Sequence, residues 1–320
     1  MTVLVVSSLK DVHTRAVMTA LMARANSAVE LLDHSEFPHR LVLSLGFENG
    51  RRRFTLRRDG GGILDFASVR AVWWRRPQPF SLPVALADPL HRRFAVSEGT
   101  TAFDGLYQSM DAFWVNKPSC DAAAAHKPWQ LALAQELRLD LPVTVMTNDP
   151  DEARAFWDAR NGQVIYKQFR AVDSVWRETR LLRQNEAALA ESVRLAPVIF
   201  QEYIDAVADI RVIIVGNALF AAAADTRNAD YPVDVRMNLN LDYKPYLLPS
   251  GVSDRLHGLM RRLGLEYGAI DLRLTPDGRH VFLEINPAGQ FLYIEQATGQ
   301  HIAAALAGHL TGGCHRVSSK

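Results

Sequence analysis

The sequence predicts an α/β protein of more than one domain, and three observations carry that prediction. The chain opens strand–helix–strand: an apolar run at 3–6, a helix capped by Asp11 that reaches about Arg24, and a second run at 29–32. Hairpins with turn residues at their tips follow, at Glu48-Asn49-Gly50 and Gly216-Asn217. Near the C-terminus, residues 267–273 and 280–287 read as two further antiparallel strands, joined by Thr275-Pro276-Asp277-Gly278. With 320 residues, 48% of them hydrophobic, there is material for a sizeable core and for two or three domains.

The N-terminal elements come first. Val12, Ala16, Leu21 and Met22 are placed near one face of the first helix. Leu41, Leu43 and Leu45 alternate as one arm of a hairpin, and Phe54 and Leu56 lie on the other. Five arginines (51, 52, 53, 57 and 58) crowd that hairpin. They read as a solvated face, or else as a dock for an acidic peptide. A strand at 69–74 ends in Arg75-Arg76-Pro77, arginines that pair with carboxylates or hold two domains together. A long helix at 88–110 carries Leu90, Phe94, Ala102, Leu106 and Met110 as a core stripe. A short strand at 113–116 and Lys117-Pro118-Ser119 mark the exit from the first domain, giving boundaries at 1–117, 118–197 and 198–320.

In the central part, Pro128 fits the first turn of a helix that runs to about Leu137. Lys127 therefore stands at a helix N-terminus, where it opposes the helix dipole unless an anion is shared with the free amides. A plain surface lysine is the alternative. A strand at 143–146 follows, then a helix that starts at residues 148–152 and ends near Ala159. Lys167 lies inside the β run 164–169, where an inward side chain wants an anionic partner and an outward one is ordinary. Residues 170–180 are polar and aperiodic and read as a mobile flap, with a short helix at 185–193 beyond.

In the last part, strands at 198–204, 209–215 and 219–223 precede a polar stretch. A helix at 253–263 then places Leu256, Leu259, Met260 and Leu263 on one stripe and closes at Gly264. If the final hairpin turns about Asp277 and Gly278, Asp271 falls opposite Glu284. Asn286 then shares a face with Glu284. Two carboxylates and an amide are hard oxygen donors that suit Mg²⁺. A polar hairpin face that meets water is the alternative.

Composition narrows the function classes. A net charge of +1 argues against a general nucleic-acid binder. Cys120 and Cys314 are the only cysteines and show no zinc or redox spacing, so free thiols in a reducing cytoplasm are expected. The start lacks the basic and long apolar regions of a signal peptide, and no run is long enough to span a membrane.

Taken in order, Lys127, Lys167, Gln201-Glu202-Tyr203-Ile204, Asp209-Ile210-Arg211, Asp271 and Glu284-Ile285-Asn286-Pro287 resemble an ATP-grasp ligase over nearly the whole chain. The likeness is strongest to the microviridin-type, or graspetide, ligases that macrocyclise ribosomal peptides. It rests on Val72-Trp73-Trp74-Arg75-Arg76-Pro77, on Gly268-Ala269-Ile270-Asp271-Leu272 and above all on Glu284-Ile285-Asn286-Pro287-Ala288-Gly289-Gln290. Ribosomal-protein glutamate ligases are similar too, through the metal residues and Arg236-x-Asn238.

The resemblance implies an ATP-grasp fold behind an N-terminal α/β pre-ATP-grasp domain. It implies ATP and one or two Mg²⁺ ions as cofactors. Lys127 and Lys167 would neutralise phosphates, Glu202 and Tyr203 would form the hinge beside adenine, and Asp209 would bind the ribose. Asp271, Glu284 and Asn286 would hold Mg²⁺, while Asn238 and Arg236 would complete the triphosphate end. Arg211 and Arg236 would hold a substrate carboxylate and its acyl phosphate, the alternative for each being a structural ion pair. The partner would be a ribosomal precursor peptide with a docking leader and a core of acidic and hydroxyl or lysine side chains. Neither nucleic acid nor membrane is expected, and a homodimer is compatible with the sequence.

One departure bears on these expectations. Residues 170–180 contain no glycine, whereas many ATP-grasp enzymes carry a glycine-rich flap there. That favours the peptide-cyclising branch. The competing readings are a ligase that adds amino acids to a protein or small-molecule carboxylate, and a non-catalytic ATP- or peptide-binding module.

Overall fold

The computed structural model describes residues 2–24, 28–169, 180–182, 191–227 and 242–317. It forms two compact units. The first takes in Met1–Pro118, Leu265–Tyr267 and His301–Lys320. Its elements are β1 (Thr2–Val6), α1 (Val12–Met22), β2 (Ala28–Leu32), β3 (Leu41–Glu48), β4 (Arg51–Arg58), β5 (Ile63–Asp65), β6 (Val69–Trp74), α2 (Pro89–Ser109) and β7 (Phe113–Val115). Strands β2, β1, β6 and β7 form a parallel sheet in that order. Parallel strands covered on both faces want continuous apolar runs, and Val3, Leu4, Val5 and Val6 are all fully buried. The C-terminal helix, α8 (Ile302–Val317), packs on α1, β6 and β7. Leu4, Val6 and Val72 join Phe103, Leu106 and Tyr107 of α2 in one core, together with Phe54, Leu56 and Leu64 of the antiparallel sheet β3-β4-β5.

The second unit takes in Ser119–Gly264 and Gly268–Gln300. Its elements are α3 (Pro118–Ala124), α4 (Lys127–Glu136), β8 (Thr144–Thr147), α5 (Pro150–Asp158), β9 (Val164–Lys167), β10 (Arg180–Leu181), β11 (Val198–Glu202), β12 (Ala208–Val215), β13 (Ala218–Asp225), β14 (Lys244–Pro245), α6 (Ser250–Leu263), β15 (Tyr267–Leu274), β16 (His280–Asn286) and α7 (Leu292–Thr298). Two sheets result, ordered β10-β9-β11-β8 and β14-β13-β12-β15-β16. Residues 203–207 link them. No helix among the described residues is long and apolar enough to cross a membrane.

Two core faces differ from expectation. Helix α1 buries His13, Thr14, Val17 and Leu21, and leaves Val12 and Met22 exposed. Helix α2 buries Gly99, Phe103, Leu106 and Tyr107, and leaves Leu90 and Phe94 exposed. On α1, Val12 and Leu21 are nine residues apart and so stand about 180° from each other, while on α2 a stripe drawn in steps of four drifts by about 40° per step, so Leu90 and Met110 end up on nearly opposite sides. The polar residues that α1 buries are satisfied: the hydroxyls of Ser7 and Thr14 meet at 2.7 Å, and His13 bonds Asp11. The hairpin arginines also divide. Arg58 is half-buried and pairs with Glu30 at 2.8 Å, whereas Arg51, Arg52, Arg53 and Arg57 are exposed, Arg52 donating to the Ser109 carbonyl.

Asp11 does more than cap α1. Its Oδ1 accepts the His13 N–H at 2.8 Å, and its Oδ2 accepts Nε of Arg75, a buried side chain at the end of β6, at 2.9 Å. Burial pushes this carboxyl up, but the hydrogen bonds from His13 and the charge of Arg75 outweigh it and hold it well below the usual range. A depressed carboxyl stabilises the fold above its unfolded pKa of about 3.9, and that contribution disappears as pH falls through the folded value. Replacing Asp11 by Ala removes a cap and one partner of a buried guanidinium, so urea denaturation at neutral pH should show a loss of about 3 kcal/mol. The deficit should shrink as the pH is taken below about 4, where the carboxyl of the unfolded chain takes up a proton while the native one stays charged. A deficit independent of pH would show that the carboxylate charge is not what Asp11 contributes.

Candidate active site

The last hairpin depends on a single irregularity. Near the turn, β15 and β16 pair Leu274 with His280 and Leu272 with Phe282. The ladder then shifts, and Asp271 pairs with Glu284 and Ala269 with Asn286. Leu283 is the extra residue of a β-bulge. Without the bulge Asp271 would oppose Leu283, and Glu284 would point to the other face, since one step of register inverts every side chain beyond it. The bulge therefore sets both carboxylates on one face, with Asn286 two residues further along.

Helix α4 supplies the cation on Glu284. Lys127 opens the helix and its Nζ donates to Oε2 of Glu284. Three residues on, the side chain of Gln130 clamps β16. Its Nε2 donates to the Ile285 carbonyl at 2.8 Å, and its Oε1 accepts the Ile285 N–H at 3.0 Å. Gln130 is buried, so this amide is a fixed strut between the helix start and the strand that carries Glu284.

Strand β12, the neighbour of β15, supplies the second cation. Arg211 Nη1 donates to Oδ1 of Asp271 at 2.6 Å, and its Nη2 donates to the Gln290 carbonyl at 3.0 Å. Two residues away, Asp209 accepts Nε of Arg273 at 2.9 Å. The two Asp-x-Arg triplets, Asp209-Ile210-Arg211 and Asp271-Leu272-Arg273, thus face each other in reverse, acid on base at both ends. Gly289 allows Arg211 to approach: a Cβ there would stand 2.9 Å from Nη2 of Arg211 and 2.3 Å from Cβ of Ala269.

Of the remaining predicted residues, Glu202 and Tyr203 stand at the start of the 203–207 linker. Glu202 ends β11; its N–H donates to the Val143 carbonyl, and its carboxylate accepts the Val143 N–H, both at 2.9 Å. The Tyr203 N–H donates to the Gln163 carbonyl. Lys167 ends β9, half-buried, across from Ile199. Arg236 and Asn238 lie outside the described residues, as do residues 170–179 of the expected flap at 170–180 and most of the expected helix at 185–193.

Lys127 with Glu284 and Arg211 with Asp271 are therefore in direct contact, on one hairpin and its two neighbours. Among the described residues no cluster of three or more His, Cys, Asp or Glu is placed to hold a metal. Two carboxylates and an amide are instead the oxygen-only set of a hard divalent cation. Asn286 is exposed, and its Oδ1 already accepts the Ala288 N–H at 2.9 Å.

Four residues went unmarked in the sequence. Gln130 and Arg273 are described above. Tyr243 and Tyr293 pack edge to face, with centroids 5.4 Å apart. Burial pushes both phenols up, with Asp271 adding to the effect, so they stand near the acid pair as neutral groups. The available signal for Arg273 was its parity with Asp271 on β15; for Gln130 it was a polar residue inside the buried stripe of α4.

Placing a methyl at Gly289 should force Arg211 off the Gln290 carbonyl. Gly289→Ala is expected to lower stability by about 1–3 kcal/mol in chemical denaturation, as overpacking does. An unchanged midpoint would mean that the close approach is not required.

Comparison with known proteins places this geometry in a family. Residues 2–122 match the model of the MvdD pre-ATP grasp domain, and residues 124–310 match that of the RimK-like ATP-grasp domain. The chain is similar to macrocyclase MdnC from Microcystis aeruginosa MRC, solved bound with precursor peptide MdnA. Identity is 28% and the TM-score 0.87, over 98% of this chain and 100% of that one. It is also similar to the ATP-grasp ligase PsnB, solved with minimal precursor, Mg and ADP, at 25% identity and TM-score 0.79 over 98% of both chains. A RiPP-associated ATP-grasp ligase from Chryseobacterium gregarium, solved with ADP and a leader and core peptide, shares the fold. There the TM-score is 0.89 and identity 24%, over 97% of this chain and 96% of that one. No curated protein matches the chain. With more than half its length matched by the second model, behind an MvdD-type pre-ATP-grasp domain, the chain belongs to the RimK-like ATP-grasp family.

Proposed function

We propose that the protein uses ATP and Mg²⁺ to join a carboxylate side chain of a ribosomal precursor peptide to a hydroxyl or amine of the same peptide, which closes a macrocycle. The observation that carries this is the bulged hairpin, on which Asp271 and Glu284 share a face while Arg211 and Lys127 rest on them. Such a site holds acids for a cation beside cations for an anion, the requirement of phosphoryl transfer to a carboxylate. The likeness to MdnC and PsnB, both solved with precursor peptides, supports the substrate class.

The roles follow from the charges. Asp271, Glu284 and Asn286 would hold Mg²⁺, which would supply positive charge to offset that of the transferring phosphoryl group. Lys127, which rests on Glu284, and Lys167 would neutralise the phosphates. Tyr203 and the backbone around Glu202 flank the adenine, and Asp209 faces the ribose. Arg236 and Asn238 belong to the proposal through the resemblance alone. Arg211, a fork suited to oxyanions, holds the peptide carboxylate. One carboxylate oxygen attacks the γ-phosphorus, the bond to the bridging oxygen breaks and ADP leaves. The hydroxyl or amine then attacks the acyl carbon and gives up its proton as phosphate departs. The net change in the peptide is the loss of one water per ring.

We divide the chain for this work into an N-terminal domain at 1–117 and ATP-grasp lobes at 118–197 and 198–320, and we place the protein in the cytoplasm. The RimK-like match over 124–310 favours a second reading, addition of an amino acid to a carboxylate.

The test is a mass spectrum of a short peptide rich in Thr or Ser and Asp or Glu, taken from a neighbouring reading frame and incubated with protein, ATP and Mg²⁺. Macrocyclisation removes one water mass per ring and releases ADP. A gain of one residue mass would establish the second reading, and an unaltered peptide with no ADP would contradict both. Glu284→Gln should abolish product with the fold retained by circular dichroism. Turnover at the native rate would overturn the metal assignment.

A further inference from the structure

Arg273 joins three groups that the proposed nucleotide site treats separately. It is 5% exposed. Its Nε donates to the Asp209 carboxylate at 2.9 Å, and its Nη1 donates to the Ile204 carbonyl at 2.8 Å. Its guanidinium carbon lies 5.4 Å from the centre of the Tyr203 ring. The next residue on β15 continues the arrangement, for the Leu274 carbonyl accepts the Val207 N–H at 2.8 Å. The linker between the two sheets is therefore fastened at both ends to consecutive residues of one strand.

A buried guanidinium is costly to desolvate and persists only when its donors are satisfied with good geometry. Arginine suits this place because its planar fork reaches a carboxylate and a carbonyl at once, with an aromatic face beside it. A lysine ammonium is a point charge on a flexible stem and does not reproduce the fork. The same contact keeps the Asp209 carboxylate in one orientation.

We propose that Arg273 is the positioning residue of the adenosine half of the nucleotide site, holding the Tyr203-Ile204 linker and the Asp209 carboxylate in register with each other. This rests on the reading of Tyr203 and Asp209 as adenine and ribose contacts. Arg273 itself touches neither the phosphates nor the reacting carboxylate. Its counterpart in the reciprocal arrangement, Arg211, stands at the acyl end, so the two arginines divide the site between binding the nucleoside and handling the substrate.

The full-length protein and its Arg273→Met and Arg273→Lys variants should be compared by calorimetry with two probes in Mg²⁺, ADP and inorganic tripolyphosphate. Loss of a charged hydrogen bond in the adenosine half should weaken ADP by about tenfold in Arg273→Met and leave tripolyphosphate unchanged. Arg273→Lys should recover part of the loss, because it keeps the charge beside Asp209, and it carries the comparison if the Met protein does not fold. In turnover assays KM for ATP should rise while KM for the peptide stays fixed. Native ADP affinity in both variants, or equal weakening of both probes, would overturn the inference. If the unsubstituted protein binds tripolyphosphate but not ADP, the nucleotide-site reading itself fails, and the inference with it.

Discussion

Two facing Asp-x-Arg triplets hold this site together. On β12 the order is Asp209 then Arg211; on β15 it is Asp271 then Arg273, and the pairing is reversed along the second strand. Each acid meets the other strand's base. Both side chains of the Asp209 pair are nearly buried, whereas Asp271 is partly open, so one pair braces the sheet and the other reaches the surface. Breaking a buried pair by removing one partner costs about 3–5 kcal/mol, so sheet and site are hard to alter independently.

The bulge at Leu283 is the second constraint, and it acts on the first. It turns Glu284 onto the face that already carries Asp271, and α4 then delivers Lys127 to Glu284 while Gln130 locks onto Ile285. Beyond β16 the chain runs through Gly289, whose missing side chain lets Arg211 reach the Gln290 carbonyl. The segment from Glu284 to Gln290 is thus one device: a carboxylate face at its start and an arginine seat at its end.

Much of the fold was legible because it is written in local chemistry. Asp11, Asp88 and Asp149 cap the helices they were expected to start or that begin beside them, and Gly264 closes α6 in the left-handed region. The pairing of Asp271 with Glu284 was legible too, though the structure reaches it by another route. A turn centred on Asp277 and Gly278 gives that pair directly, whereas the actual ladder starts one step out and recovers at the bulge. The exposed half of α2 was not legible, since a step of four approximates a helical face only over a turn or two, and on α1 apolar residues such as Val12 and Leu21 occur on opposite sides of the helix. Arg273 and Gln130 escaped notice for a different reason. Each buried polar side chain here meets a partner distant in sequence, Ile285 for Gln130 and Asp209 for Arg273.

The central claim is that a peptide carboxylate is activated by direct attack on ATP at this hairpin. A peptide whose Asp and Glu side chains carry heavy oxygen tests it directly, through the mass of the inorganic phosphate released on turnover. Acyl phosphate chemistry transfers one carboxylate oxygen to phosphate per ring closed, so labelled phosphate should appear in proportion to product. Product formed with wholly unlabelled phosphate would contradict the account.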